Sequence, residues 1–226
     1  MKKLCFVELE GLLTNYKSYS ANDAKIKDFV KSLHSFCKEN KIEVFLVSGH
    51  HETIAKQKIL EKKFHEFFDK EHFVFVDELY IESKGEDDKK LHRDNLAKDP
   101  EFNDSFFKQV LIQRVLKEKD VNQKDALLLC NDVWVDGYYT TKFSKIDFAL
   151  FEENLTDRGN KVERLSGLAY FNFDFDSVKQ LLTNFPKVDF ASLDKYVFEV
   201  MKSVLVGDSV KDSIRQSILK KKLGKV

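Results

Sequence analysis

Short, nearly unbroken apolar runs alternate with segments of helical periodicity along the first two thirds of this chain, and that alternation limits what it can fold into. The runs at residues 4–9, 43–47, 72–76, 126–130 and 146–151 are continuous rather than alternating, which is how strands read when both faces of their sheet are covered. Between them, Ile26, Phe29, Val30, Leu33, Phe36 and Cys37 recur at three-and-four spacing over residues 22–39, with Asn22 as cap. Ile54, Ile59, Leu60, Phe64 and Phe67 do the same over 52–68, and Phe107, Val110, Leu111 and Leu116 over 106–118. Strands alternating with helices of this length predict an α/β fold, a Rossmannoid doubly wound parallel sheet with helices on both faces.

The remaining segments divide the chain. Residues 84–103 are charged, poor in apolar side chains and contain Pro100, and they are read as a surface loop or small flap. The third strand extends or bends through 79–81. A strand at 168–173 and a short helix at 176–183 close a first domain at residues 1–185. Residues 186–226 form a helical extension, capped by Ser192 and carrying Leu193, Tyr196, Val197, Val200, Met201, Val204 and Leu205, which packs on the parent domain or on a partner. No large insertion fits between the strands, so the fold has little or no cap.

Charge excludes some partners. Lys+Arg and Asp+Glu both count 38, so no overall field draws the chain to nucleic acid or to an anionic membrane. The lysines at 220, 221, 222 and 225 are read as a solvated helix end, favourable beside the negative pole of the helix dipole. Cys5, Cys37 and Cys130 are far apart, form no CxxC pair and suit reduced, buried core positions. The N-terminal apolar run is interrupted at Glu8, too short for a signal peptide or a membrane span, and a cytoplasmic protein is expected.

Four segments carry candidate chemistry. The first strand ends in Phe6-Val7-Glu8-Leu9-Glu10-Gly11-Leu12-Leu13, two acids one apart followed by glycine. The second ends in Phe45-Leu46-Val47-Ser48-Gly49, a hydroxyl at a strand terminus. Lys108 stands near the start of a helix, and Leu127-Leu128-Leu129-Cys130-Asn131-Asp132 is followed four residues later by Asp136. In this order and spacing the chain resembles the haloacid-dehalogenase-like (HAD-like) superfamily over residues 4–150. It departs from the family pattern by carrying glutamates for both aspartates of the first motif, Leu12 after the glycine, and Asn131 for a glycine.

The resemblance implies strand order 3-2-1-4-5, which sets Glu8 and Asp132 across one crevice at the carboxyl ends of the strands. Glu8, Glu10, Asp132 and Asp136 would hold Mg²⁺, Ser48 and Gly49 with Lys108 would bind phosphate, and Asp136 would serve a metal-bound water or orient Lys108. Glu8 takes the attacking position and Glu10 the acid–base position, with Lys108 neutralising developing charge. An extra methylene displaces each reacting oxygen by about an ångström, a shift that can cost roughly a hundredfold in rate. Phosphohydrolase activity is therefore expected to be weak or lost, leaving a binding role; the alternative is an active Mg²⁺-dependent phosphohydrolase acting on a bulky phosphoester or phosphoprotein. A phosphorylated ligand or protein is the implied partner. His50 and His51 follow Ser48-Gly49 near the crevice and are read as exposed residues at a helix start, the alternative being contact with substrate or with a metal other than magnesium. Trp134, Tyr138 and Tyr139 are read as core or lid packing, or as an aromatic wall over the site.

Overall fold

The computed structural model of the chain describes residues 1–14, 23–103, 105–131, 136–137, 139–151 and 169–186. Strands β1 (Leu4–Glu8), β2 (Glu43–His51), β3 (Phe73–Val76), β4 (Ala126–Cys130), β5 (Asp147–Phe151) and β6 (Ala169–Phe171) form one sheet in the order β3-β2-β1-β4-β5-β6. Every neighbouring pair is parallel. The order reverses between β1 and β4, so their carboxyl ends open the crevice at which such sheets bind ligands.

Helices α1 (Asp23–Glu39), α2 (Glu52–Glu61) and α6 (Phe175–Thr183) cover one face; α3 (Glu78–Glu82) and α5 (Ser105–Glu118) cover the other. The side-chain period of two sorts the strands between these layers. Cys5, Val7, Leu127 and Leu129 pack beneath α1 and α6, whereas Leu4, Phe6, Leu128 and Cys130 pack beneath α5. Each fully buried Leu or Phe contributes about 1.5–3 kcal/mol relative to exposure. All three cysteines are buried and free, as the apolar context of two of them implied.

Several expectations are corrected. Residues 79–81 do not extend the third strand: Asp77 Oδ1 accepts from Tyr80 N at 2.6 Å and starts α3, because an aspartate at the N-cap satisfies an otherwise orphan amide. Residues 84–103 are not a loop or flap but mainly the helix α4 (Glu86–Lys98). Its surface is held by charge: Arg93 reaches Glu78 and Glu82 at 3.0 and 2.7 Å, and Lys89 reaches Glu82 and Glu86 at 3.2 and 2.8 Å. The second helix stops at Glu61, where Lys63 adopts φ 59° and a 3₁₀ turn follows over Phe64–Glu66. Ala55 and Ile59 form its buried face, while Leu60 is exposed.

The proposed helical extension lies outside the described residues from 187 onward, as do Trp134 and Tyr138. Tyr139 is buried and stacks on Phe143 with centroids 5.6 Å apart, the packing role rather than an open aromatic wall. Among the described residues no helix is long and apolar enough to cross a membrane.

Candidate functional site

Glu8 is the last residue of β1, and the chain turns sharply after it. Leu9 N bonds back to Val47 O on β2 at 2.9 Å, and Thr14 closes the turn by donating its amide and hydroxyl to Leu9 O at 2.8 and 3.0 Å. Gly11 sits in this turn at φ +78°, where a Cβ would stand 3.0 Å from Asn131 Nδ2. Both the positive φ and the close approach to the end of β4 require glycine. The turn leaves Glu8 and Glu10 4% and 3% exposed.

Lys108 enters from the first turn of α5, on the face opposite α1. Its Nζ donates to Glu8 Oε1 and to Asp136 Oδ1, both at 2.6 Å. Glu8 Oε2 accepts from the Asn131 amide at 2.9 Å, tying β1 to the end of β4. A lysine near a helix N-terminus faces the positive pole of the dipole, so its complete burial depends on these two carboxylates. Burial alone would lower its pKa, but Asp136 and Glu8 outweigh it and raise it. For Glu8, burial and then the Asp136 charge push the carboxyl well above its ordinary range, against the opposing pull of Lys108. Two carboxylates share one ammonium, so one negative charge is left uncompensated and adds to the rise of Glu8 that burial begins.

The neighbouring residue Gln109 reinforces this placement. Its Nε2 donates to Thr140 Oγ1 at 3.0 Å and its Oε1 accepts from Ser144 Oγ at 2.6 Å. These residues bound a π-helical segment, Thr140–Ser144, just after Asp136, and all three are wholly buried. Gln113 adds a bond to Phe143 O at 2.6 Å. Thus α5 grips the segment after β4 at several points, and Lys108 makes the contact nearest the strand end.

The β2 side is built by a bulge. Val47 pairs with Val74 and His51 with Val76, so Ser48, Gly49 and His50 stand opposite Phe75 alone. Bulges re-aim side chains at strand ends. Ser48 Oγ donates to Glu10 Oε1 and accepts from the His50 amide at 3.0 Å. His50 Nδ1 lies 3.1 Å from the same Glu10 oxygen. Burial would raise Glu10, but His50, Ser48 and Lys108 together outweigh it and hold the carboxyl below its ordinary value. His50 also bridges Asn103 in the segment leading to α5.

The structure therefore gathers Glu8, Glu10, Ser48, Gly49, Lys108 and Asp136 at the carboxyl ends of adjacent strands, whereas Asp132 lies outside the described residues. His50 is corrected: it is 1% exposed and lines the site. The extension of β2 beyond Val47 turned it inward, and the period-two relation to Ser48 was the available signal. His51 does start α2, its Nδ1 accepting from Thr53 N at 3.3 Å and its Nε2 standing 2.9 Å from Glu78 Oε1.

The donor chemistry suits a hard cation. Among the described residues, Glu10 Oε2 and Asp136 Oδ2 are buried carboxylate oxygens without a hydrogen-bond partner, the donor type Mg²⁺ prefers. The described carboxylates do not complete a ligand set by themselves. Among the described residues, three ligand atoms within 4.8 Å of one another occur at Asp69, Glu71 and His72, on the surface before β3. Neither a protein-family model nor a curated protein matches the chain.

Proposed function

We propose that this chain is a divergent member of the HAD-like superfamily with a phosphatase-type site in which Glu8 holds the nucleophile position, and that it serves a binding role with weak or lost phosphohydrolase activity. The observation that carries this reading is the bridge from Glu8 through Lys108 to Asp136. Three motifs far apart in sequence meet at one ammonium, at the point where strand order reverses.

Glu8, Glu10, Asp132 and Asp136 would hold Mg²⁺, which when bound supplies positive charge against phosphate oxygens. The chain's own groups have separable tasks. Lys108 fixes Glu8 and counters charge that builds on a transferring phosphoryl group. Asp136 orients that ammonium from the far side. Ser48 offers one hydroxyl hydrogen and Glu10 one carboxylate. Both glutamates are engaged by protein groups, Glu8 by Lys108 and the Asn131 amide and Glu10 by Ser48, which disfavours their use in turnover.

The test is hydrolysis of an aryl phosphate with Mg²⁺, run alongside Mg²⁺ titration by calorimetry. Mg²⁺ binding without turnover in the native chain, and turnover appearing in Glu8→Asp/Glu10→Asp, is the expected result. Robust native turnover abolished by Asp132→Asn would establish the active phosphohydrolase instead. Absence of Mg²⁺ binding in both forms would refute the site.

A further inference from the structure

We infer that Glu10 occupies the phosphate subsite of this site, so that the chain accepts a cation there while excluding phosphate. The inference rests on the reading that Ser48 and Lys108 are the phosphate-side groups. Serine has one hydroxyl hydrogen, and Ser48 gives it to Glu10 Oε1 while its oxygen receives the His50 amide. No donor is left at Ser48 for a phosphate oxygen. The carboxylate oxygen stands where a phosphate oxygen bonded to Ser48 would, and like it is an anionic acceptor.

Glu10 is built into this position rather than swung into it. The Leu9 amide is tied to Val47 O, Thr14 closes the turn behind Glu10, and Glu10 pairs with Thr14 in a bridge. The bulge at Ser48–Gly49–His50 brings its hydroxyl and imidazole to one carboxylate oxygen. Glu10, Ser48 and His50 are at most 3% exposed. A glutamate reaches Ser48 across this distance because it carries one methylene more than aspartate.

Charge points the same way. Lys108, the buried ammonium of this site, already donates to both Glu8 and Asp136, while Glu10 adds its own carboxylate beside Ser48. An added phosphate meets like charge in a desolvated place, which is strongly unfavourable. An added cation meets Glu10 Oε2, a buried carboxylate oxygen with no hydrogen-bond partner among the described residues. The ligand class of the native chain is therefore cationic, and Glu10 is the residue that sets this specificity.

The test measures inorganic phosphate binding to the full chain by calorimetry at fixed Mg²⁺, for wild type, Glu10→Gln, Glu10→Ala and Glu10→Ala/Ser48→Ala, with circular dichroism confirming the fold. Glu10→Ala should bind phosphate on the order of a hundredfold more tightly than wild type, and the added Ser48→Ala should remove that gain. Glu10→Gln keeps an acceptor on Ser48 without the charge and should fall between them. It carries the test alone if Glu10→Ala does not fold. Equal phosphate affinity in wild type and Glu10→Gln, or a gain that survives Ser48→Ala, overturns the inference. Phosphate binding by no form, with Mg²⁺ still bound by wild type, overturns the inference and leaves the site reading standing. If no form binds either probe, both fall.

Discussion

Lys108 Nζ stands 2.6 Å from Asp136 Oδ1, and neither side chain is exposed to solvent. An ammonium and a carboxylate pay a large desolvation penalty in such a place, offset when their geometry is good and their remaining positions are bonded. Here the second bond of the ammonium goes to Glu8 at 2.6 Å, and Glu8 is itself bonded to the Asn131 amide at 2.9 Å. The trio therefore couples three parts of the fold: the end of β1, the start of α5 and the segment after β4.

Removing Lys108 should cost far more than the pair's net worth. Lys108→Met leaves two buried carboxylates without their cation, a change on the order of 3–5 kcal/mol in unfolding free energy. Urea denaturation of the variant measures it. Lys108→Met/Asp136→Asn should be less destabilised than the sum of the single changes, because the second substitution removes a charge the first has stranded. Additive losses would mean that the two residues act independently.

Gly11→Ala should destabilise the chain through two separable effects. The φ of +78° disfavours any Cβ, and the new methyl group would stand 3.0 Å from Asn131 Nδ2. Together they predict a loss of about 1–3 kcal/mol. Asn131→Gly in the same chain should return the part due to contact while leaving the backbone part. Complete recovery in thermal melts would show that backbone strain contributes nothing.

The sheet was legible because its strands are buried on both faces: Ala126–Cys130 reads as five apolar residues and is five buried residues. The meeting of Glu8, Lys108 and Asp136 was legible because motif order and topology together determine strand ends. The features that apolar pattern does not carry depend on individual side chains. Residues 84–103 lack an apolar stripe, yet α4 forms with His92 and Asn95 buried and with charge pairs to α3 on its surface. Leu79–Ile81 looked strand-like until Asp77 is seen capping a helix. His50 is buried because β2 continues past Val47 through a bulge, and a bulge is invisible to hydrophobic periodicity.

That cap makes its own prediction. Asp77→Ala removes the acceptor from Tyr80 N and should lower stability by about 0.5–2 kcal/mol. Tyr80 packs against Phe107 at 5.7 Å between ring centroids, so the loss should be accompanied by faster amide exchange in α3 than in the sheet. Asp77→Asn retains an acceptor and should recover most of the stability. If Asn and Ala are equally damaging, the charge of Asp77 rather than its capping bond is responsible.

The buried thiols predict how stability changes at alkaline pH. Burial pushes the Cys37 thiol up to about 12, whereas an unfolded cysteine ionises near about 8.5. The folded state thus holds its proton where the unfolded state releases it. For such a raised acid the contribution is fully present below the unfolded pKa and is lost as pH rises toward the folded one. At pH 10 the unfolded state has gained about 1.5 pKa units of ionisation, equivalent to about 2 kcal/mol. Burial also raises Cys5, with the nearby Cys37 adding to it, so its effect has the same sign. The stability difference between wild type and Cys37→Ala should therefore be constant below about pH 8 and shrink by pH 10, as read from denaturation midpoints. A difference that stays constant through pH 10 would show that Cys37 ionises as readily folded as unfolded, contradicting its burial beneath the sheet.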